Sequence, residues 1–178
     1  MKDPPEAGLG LIEMIVGLLV STIVLVAVAT VLGNAWLAQE DVTTTSQATT
    51  RGQLISSTIE RAMRNELDFK IEGTDGNELL VWTTLDTAQQ CQAFRLADGE
   101  AQMTVSMGPV GASTTWPDWE QAVAQRVVFG TPVDFFAPGV EGVEYRFDIE
   151  TQSAPVRFDG VASSRKSQSL PGDDNPCW

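Results

Sequence analysis

Residues 8–13 read GLGLIE, and residues 14–32 continue as MIVGLLVSTIVLVAVATVL. The second stretch contains 19 residues and no charged side chain. A helix of that length spans roughly 28 Å, which is close to the thickness of the hydrocarbon core of a bilayer. The carboxylate of Glu13 stands directly before it. The sequence therefore predicts a transmembrane helix at about residues 14–32 with an acidic side chain at its entrance.

Two simpler interpretations of this stretch exist. One is a secretory signal peptide, but the apolar run is longer than the usual core of about 7–15 residues, and no small-residue cleavage site follows it cleanly. The residues before it also lack a basic region, since Lys2 is set against Asp3 and Glu6. A signal peptide is therefore disfavoured. A plain single-span anchor, with Glu13 at the level of the lipid headgroups, stays open.

The order of residues around Glu13 resembles that of a known family. Gly8 is followed by an apolar residue, and Leu-Ile-Glu then leads into the apolar helix. This order resembles the N-terminal signature of type IV prepilins, over about residues 1–60. The resemblance implies that a prepilin peptidase removes residues 1–8 as a leader by cleaving between Gly8 and Leu9, and that Leu9 is then N-methylated. It also implies that Glu13 docks the subunit by pairing with the Leu9 amine of a neighbouring subunit.

The chain departs from the prepilin pattern at a few positions. Leu9 stands where phenylalanine is usual, Gly10 where threonine is common, and Ala7 where a basic residue is often found. No proline interrupts the apolar run, whereas many major pilins carry a helix-kinking proline in this region. The departures around the glycine bear on how efficiently the leader is cleaved.

The charge of Glu13 is costly in an apolar environment unless it has a partner. In the low dielectric of a helix bundle, a carboxylate and an amine attract each other strongly, and a subunit out of register would leave both unpaired. This physical argument agrees with docking through Glu13. The alternative is an interfacial carboxylate that reaches the headgroup region.

Beyond the apolar run, the sequence predicts that the helix continues. Apolar residues recur every three or four positions with polar residues between them, which is the pattern of an amphipathic helix. They are Leu54, Ile55, Ile59, Ala62, Met63 and Leu67. We therefore predict one helix over residues 9–68, transmembrane in its first half and amphipathic in its second half.

Residues 69–178 are predicted to form a β-rich globular head. Short runs rich in β-forming residues predict strands, and Asp98-Gly99-Glu100 predicts a hairpin between two of them. Residues 118–125 are predicted as a short helix and 160–178 as an irregular tail. The predicted fold class is α+β, a long N-terminal α-helix packed on an antiparallel β-sheet head in the manner of pilins. The predicted strands are 78–84, 91–97, 101–107, 126–129 and 143–149, of which the last alternates strictly between apolar and polar residues.

The composition disfavours several classes of function. The chain has 178 residues, a net charge of −13 and no histidine. Phosphate binding needs clustered Lys and Arg, and beyond Arg165-Lys166 there is no such cluster, so no direct nucleic-acid binding is expected. Histidine is the commonest general base and metal ligand, and the sequence contains no visible nucleophile–base pair or phosphate-binding loop. Neither an enzyme nor a cofactor is therefore expected.

The acidic residues near the C-terminus are the one candidate for metal binding. Asp173, Asp174 and Asn175 could offer oxygen ligands to calcium, as some secretion pseudopilins do near their C-terminal end. Their spacing fits no calcium loop, and we interpret them as a solvated acidic tail without a metal.

Cys91 and Cys177 are the only cysteines in the sequence. In a domain exported by a membrane segment, an isolated pair predicts one disulfide. The alternative is two buried free thiols. Most of the tryptophans Trp82, Trp116, Trp119 and Trp178 are predicted to be buried or half-buried. The alternative is a sticky surface, for which Trp116 and Trp119, in a loop-like stretch, are the candidate exposed pair.

Three hypotheses of function follow. The first is a structural subunit, of minor-pilin type because the head is strand-rich, in a type IV pilus or pilus-like filament. The second is a minor pseudopilin of a type II secretion system, which shares every feature read here. The third is a membrane-anchored extracytoplasmic domain that binds a ligand or carries an enzyme. The first two imply other pilins or pseudopilins, a prepilin peptidase and the cytoplasmic membrane as partners. The chain would cross that membrane once, N-in and C-out, and reach an extracytoplasmic or cell-surface filament.

Overall fold

The computed structural model describes residues 10–85, 88–164 and 175–178. One α-helix, α1, runs from Leu11 to Arg64, and strands follow it along the rest of the described chain. The fold is α+β, as the sequence predicted. The chain divides into two compact units between Thr43 and Thr44, and each is described by itself. The predicted leader, residues 1–8, lies outside the described residues.

In the first unit, the described chain is helical from Leu11 onward. The helix begins where the amides of Glu13 and Met14 donate to the carbonyl of Gly10, at 2.9 and 3.3 Å. The predicted transmembrane residues 14–32 all lie within this helix. It is long and apolar enough to cross a membrane.

In the second unit, the rest of α1 buries one face. The buried residues recur every three or four positions, so that they form a single stripe along the helix. They are Ala48, Gly52, Ile55, Ile59, Ala62 and Met63. The prediction was therefore right for four of its six apolar positions, but Leu54 is 45% exposed and Leu67 lies beyond the helix.

The helix ends at Arg64, four residues before the predicted end at residue 68. Asn65 accounts for the difference. Its side-chain amide donates to the carbonyl of Arg61 at 3.0 Å, and its own carbonyl accepts from Thr84 N at 3.1 Å and from Thr83 Oγ1 at 3.0 Å. Because this carbonyl is committed to a neighbouring strand, it does not take up a helical hydrogen bond. The chain enters a strand at Glu66 instead.

The larger sheet has five antiparallel strands in the order β1-β2-β3-β4-β5. The predicted hairpin at Asp98-Gly99 joins β3 to β4, with Ala97 opposite Glu100, and Gly99 adopts a φ of +96° there. The strands are β1 (Glu66–Glu72), β2 (Glu78–Leu85), β3 (Ala88–Ala97), β4 (Glu100–Ser106) and β5 (Asp118–Gln121).

The smaller sheet has the order β11-β10-β6, with β9 also paired to β10, and β7 and β8 form a separate two-stranded ribbon. The predicted strand at 143–149 is β10, and its apolar side chains are buried. The strands are β6 (Val123–Ala124), β7 (Val127–Val128), β8 (Thr131–Pro132), β9 (Phe136–Pro138), β10 (Gly142–Ile149) and β11 (Val156–Ser163).

One apolar core joins the C-terminal part of α1 to both sheets. Ile55, Ile59 and Met63 pack with the inward faces of β2 and β3 and with that of β10. The strand residues in this core include Leu79, Val81, Phe94, Leu96, Val143, Phe147 and Ile149. These side chains are completely buried or nearly so, and burial of this kind is the main favourable contribution to folding.

Three predictions about the head differ from the structure, one in the type of element and two in their bounds. Residues 118–125 do not form a helix, because Asp118–Gln121 pairs with β4 and Val123–Ala124 pairs with β10. The strand predicted at 126–129 is reduced to Val127–Val128 in the ribbon. The tail predicted from residue 160 begins inside β11, which pairs with β10 over eight positions. The partner strands of β5 and β6 are separated from them in the sequence, so local propensity does not reveal these two pairings, whereas β7 and β11 pair with neighbouring strands.

Candidate functional site

The predicted docking residue, Glu13, lies in the first turn of α1 and its side chain is exposed. A carboxylate is favoured at this position, since the N-terminus of a helix carries partial positive charge. Gly8 and Leu9, where cleavage and methylation were predicted, lie outside the described residues. Glu13 therefore lies at the beginning of the apolar helix.

The large apolar side chains of the helix after Glu13 are exposed over its whole circumference. Met14 is 74% exposed, Val20 55% and Leu32 50%, and their neighbours fall in the same range. A helix that is apolar all round requires an apolar environment, because contiguous apolar surface of this extent is unstable in water. The segment is suited to lipid or to other apolar helices.

The threonine hydroxyl groups of this segment are satisfied within the helix. Thr22 Oγ1 donates to the carbonyl of Leu18, and Thr30 Oγ1 donates to that of Ala27, both at 2.8 Å. In hydrocarbon an unsatisfied hydroxyl is costly, so these bonds lower the cost of burial in an apolar medium. The two threonines of the run are therefore compatible with such burial.

The head contains the predicted disulfide between Cys91 of β3 and Cys177. Both cysteines are 1% exposed. Further hydrogen bonds hold the C-terminal residues on the larger sheet: Val110 N donates to the carbonyl of Cys177 at 3.0 Å, and Asn175 Nδ2 donates to Asp68 Oδ2 at 2.9 Å. The disulfide thus fastens Cys177 to strand β3 of the larger sheet, across a sequence separation of 86 residues.

The acidic stretch that could have bound calcium is only partly described. Asp173 and Asp174 lie outside the described residues, and the side chain of Asn175 is engaged by Asp68 and by the amide of Cys177. Among the described residues, no group of three or more Asp, Glu, His or Cys side chains is arranged to hold a metal ion.

Trp116 and Trp119 are packed in the head, as predicted for most of the tryptophans, and the alternative of an exposed pair is wrong. Trp116 is only 7% exposed, packs with Leu80 and Ala93 on the outer side of the larger sheet, and donates through Nε1 to the carbonyl of Gly111 at 2.9 Å. Trp119 is half-buried, with its ring centroid 6.3 Å from that of Phe94. Both side chains stabilise the head rather than present a surface.

A shallow polar groove of about 390 Å³ lies between α1 and β11. Within it, Tyr145 Oη donates to Glu60 Oε1 at 2.7 Å. Burial, together with this hydrogen bond to a carboxylate, raises the pKa of Tyr145 to about 12. The phenol is therefore neutral at physiological pH, so it acts as a hydrogen-bond donor that holds strand β10 to the helix.

Arg126 forms a cluster of charges that the sequence did not indicate. Its guanidinium donates to Asp148 Oδ1 and to Asp159 Oδ1, both at 3.0 Å, and to the carbonyls of Phe147 and Phe158. Burial alone would lower the pKa of Arg126, but the hydrogen bonds to Asp159 and Asp148 raise it above its ordinary value. The Arg126 cluster, defined as Arg126, Asp148 and Asp159, clamps the base of the β7–β8 ribbon onto strands β10 and β11.

No protein-family model, no curated protein and no solved structure matches this chain. The fold, one long apolar N-terminal helix followed by an antiparallel sheet, is compatible with a pilin-like layout.

Proposed function

We propose that this chain is a structural subunit, of minor-pilin type, in a type IV pilus or pilus-like filament, and that it is processed by a prepilin peptidase and assembled through α1. The observation that carries the proposal is the composition of that helix. Over its 54 residues, Leu11–Arg64, an exposed apolar part bearing Glu13 in its first turn is followed by a part whose stripe is buried in an α+β head.

This arrangement suits a subunit that exchanges one apolar environment for another. Before assembly, the helix of residues 14–32 would lie in the cytoplasmic membrane, whose hydrocarbon core it matches in length. After assembly, the same surface would pack against helices of neighbouring subunits. Gly17 and Ser21 are small side chains on this segment, and small residues allow close approach of helices in apolar surroundings.

The disulfide in the head supports an extracytoplasmic location. Disulfides persist in oxidising compartments and are rare in the cytosol. With Cys91 and Cys177 bonded, the head belongs outside the cytoplasm, and the short leader before Leu9 would face the cytoplasm. The orientation proposed is therefore N-in and C-out.

Glu13 is proposed to dock the subunit rather than to stabilise its fold. The buried stripe of α1 begins at Ala48, 35 residues after Glu13 in the sequence, so Glu13 is not part of the helix face that is buried in the head. In a filament, the best partner for Glu13 is the amine of Leu9 on a neighbouring subunit. Removing the carboxylate would leave that amine unpaired in an apolar helix bundle, at a cost on the order of 3–5 kcal/mol.

The experiment compares Glu13→Ala and Glu13→Gln with wild type in the native host. Glu13→Gln removes the charge but keeps nearly the same size, so it separates the effect of charge from that of side-chain volume. Both variants are expected to insert in the membrane and to form the disulfide, but to be depleted in sheared filaments on immunoblots. Intact-mass measurement of the wild-type protein should show loss of residues 1–8 and one added methyl group, and Gly8→Val should block this processing.

Two results would contradict the proposal. One is a mature protein that still begins at Met1 or that begins beyond Leu32. The other is normal incorporation of both Glu13 variants into filaments. If the protein and its partners co-purify with a secretion machine rather than with pili, the pseudopilin alternative would be correct and the docking role of Glu13 would be retained.

A further inference from the structure

The tip of the β7–β8 ribbon is an exposed apolar surface on an otherwise well-packed head. Val127 is 56% exposed, Val128 44% and Phe129 104%. The last value means that the Phe129 ring has as much contact with solvent as in an isolated peptide. An aromatic side chain that is packed buries about 150–250 Å² of surface. Phe129 buries none of this area, so its ring gives the fold no hydrophobic stabilisation.

The conformation of Phe129 is also unfavourable. Phe129 and Gly130 form the two-residue turn between Val128 and Thr131, with φ values of +51° and +82°. A turn with positive φ at both central residues strongly prefers Asn, Asp or Gly at the first of them. A bulky side chain in this region costs conformational energy. Neither burial nor turn geometry therefore explains why this residue is a phenylalanine, and a role outside the fold is left.

The base of the ribbon holds this tip in a fixed position. Val133 N donates to the carbonyl of Arg126 at 2.9 Å, and Gln125 Nε2 donates to the carbonyl of Val133 at 3.2 Å. The side chain of Arg126, 12% exposed, is held in the Arg126 cluster. A rigidly presented side chain loses little conformational entropy on binding, which favours affinity.

Acidic side chains flank the base of the ribbon that carries this tip. Asp98 Oδ1 accepts from Gln125 N at 2.8 Å, and Asp134 follows Val133 directly in the chain. Both carboxylates are exposed, and the side chain of Asp159, in the Arg126 cluster, is 66% exposed. The whole chain has a net charge of −13. A surface of anionic lipid, or the acidic surface of a second copy of this chain, that approached the ribbon would therefore meet like charge around its base.

We infer that the tip of the ribbon, Val127–Val128 with Phe129, is a docking knob that inserts Phe129 into an apolar pocket of a partner protein whose rim is basic. This arrangement is the usual anatomy of a binding hot spot, an apolar anchor at the centre and charged groups around it. Charge complementarity at the rim steers the partner, and the aromatic anchor supplies the affinity.

The test places a photoreactive benzoylphenylalanine at position 129 of the full-length chain in its native host. The matched control carries the same group at position 140. Val140 is 101% exposed and lies two residues before Gly142, where β10 begins, whereas Asp148 lies near the other end of that strand. After irradiation and denaturing purification, position 129 should form a crosslink to one protein that position 140 does not form. The crosslinked peptide should be apolar, with Lys or Arg close by.

The partner found in this way is then purified and its affinity for the detergent-solubilised chain is measured. Phe129→Asn should weaken binding by at least about tenfold, as expected for an anchor residue. The same variant should raise the melting temperature, because Asn tolerates positive φ better than Phe. Asp134→Asn should weaken binding at low salt, and its effect should vanish near 1 M salt, where the Debye length is about 3 Å.

Several outcomes overturn the inference. Crosslinks from position 129 to lipid, to another copy of this chain, or at the same level as from position 140 would each do so. An unchanged affinity of Phe129→Asn for the captured protein would also do so. A lower melting temperature of Phe129→Asn would assign the ring a structural role instead.

Discussion

Replacement of Gly52 by alanine tests the closest approach between α1 and the smaller sheet. An ideal Cβ at position 52 would lie 2.0 Å from Cε2 of the Phe158 ring and 2.1 Å from its Cζ. Real Cβ atoms do not approach other atoms so closely, so the ring has to move. Phe158 stacks on Phe147 with ring centroids 5.2 Å apart, and that neighbour is completely buried.

The size of the effect follows from three contributions. A change from Gly to Ala inside a helix normally stabilises a protein by roughly 0.5–1 kcal/mol. Overpacking of a close contact costs about 1–3 kcal/mol, and disturbing the aromatic stack costs about 0.5–1.5 kcal/mol more. The unfavourable contributions are larger, so Gly52→Ala should lower the free energy of unfolding by about 1–3 kcal/mol. The melting temperature should fall by roughly 4–10 °C.

Thermal unfolding of the full-length protein in detergent, followed by near-ultraviolet circular dichroism, measures this change. Gly33→Ala is the matched control, because it lies in the same helix and its Cβ would meet no atom within 4 Å. It should leave the melting temperature unchanged or raise it. Phe158→Leu removes the ring edge, so the double variant should be less destabilised than the sum of the two single changes.

A melting temperature of Gly52→Ala equal to or above that of wild type would refute this reasoning. So would additive effects of Gly52→Ala and Phe158→Leu, since residues in direct contact are expected to be coupled.

Three further predictions concern the head. Replacing Cys91 and Cys177 together by alanine should lower the free energy of unfolding of the head by up to about 4.6 kcal/mol, the chain-entropy value for a separation of 86 residues. Alkylation of the native wild-type protein without reductant should modify neither cysteine. Tyr145→Phe removes the hydrogen bond to Glu60 and should cost about 1.5–3 kcal/mol at neutral pH. The pKa of Tyr145 is raised from 10.0 to about 12. The stability that depends on its proton is therefore complete below pH 10 and is lost as the pH rises to 12. Denaturant titrations of wild type and Tyr145→Phe should accordingly converge between pH 10 and pH 12. Arg126→Met should lower the free energy of unfolding by about 2–4 kcal/mol, since it leaves its buried carboxylate partner unpaired; an unchanged denaturation midpoint would show that the cluster is not a clamp.

The sequence by itself determined the features that depend on local pattern. An uncharged run of 19 residues predicts a helix that needs an apolar environment, whatever follows it in the chain. The recurrence of Ile55, Ile59, Ala62 and Met63 predicts the buried stripe, and Asp98-Gly99 predicts the hairpin. A lone cysteine pair leaves one intramolecular disulfide to form. Each of these patterns acts over a few residues or through composition alone.

The tertiary structure decided the features that depend on partners distant in the chain. The helix ends at Arg64 because the carbonyl of Asn65 is taken by β2, about 20 residues later, although the apolar spacing continues to Leu67. Residues 118–125 are strands because β4 and β10 offer them free edges. Phe129 is exposed because Arg126 is bonded to Asp148 and Asp159 and holds the ribbon at the surface. Hydrogen bonds and ion pairs of this kind form only after the chain has folded, and no local periodicity encodes them.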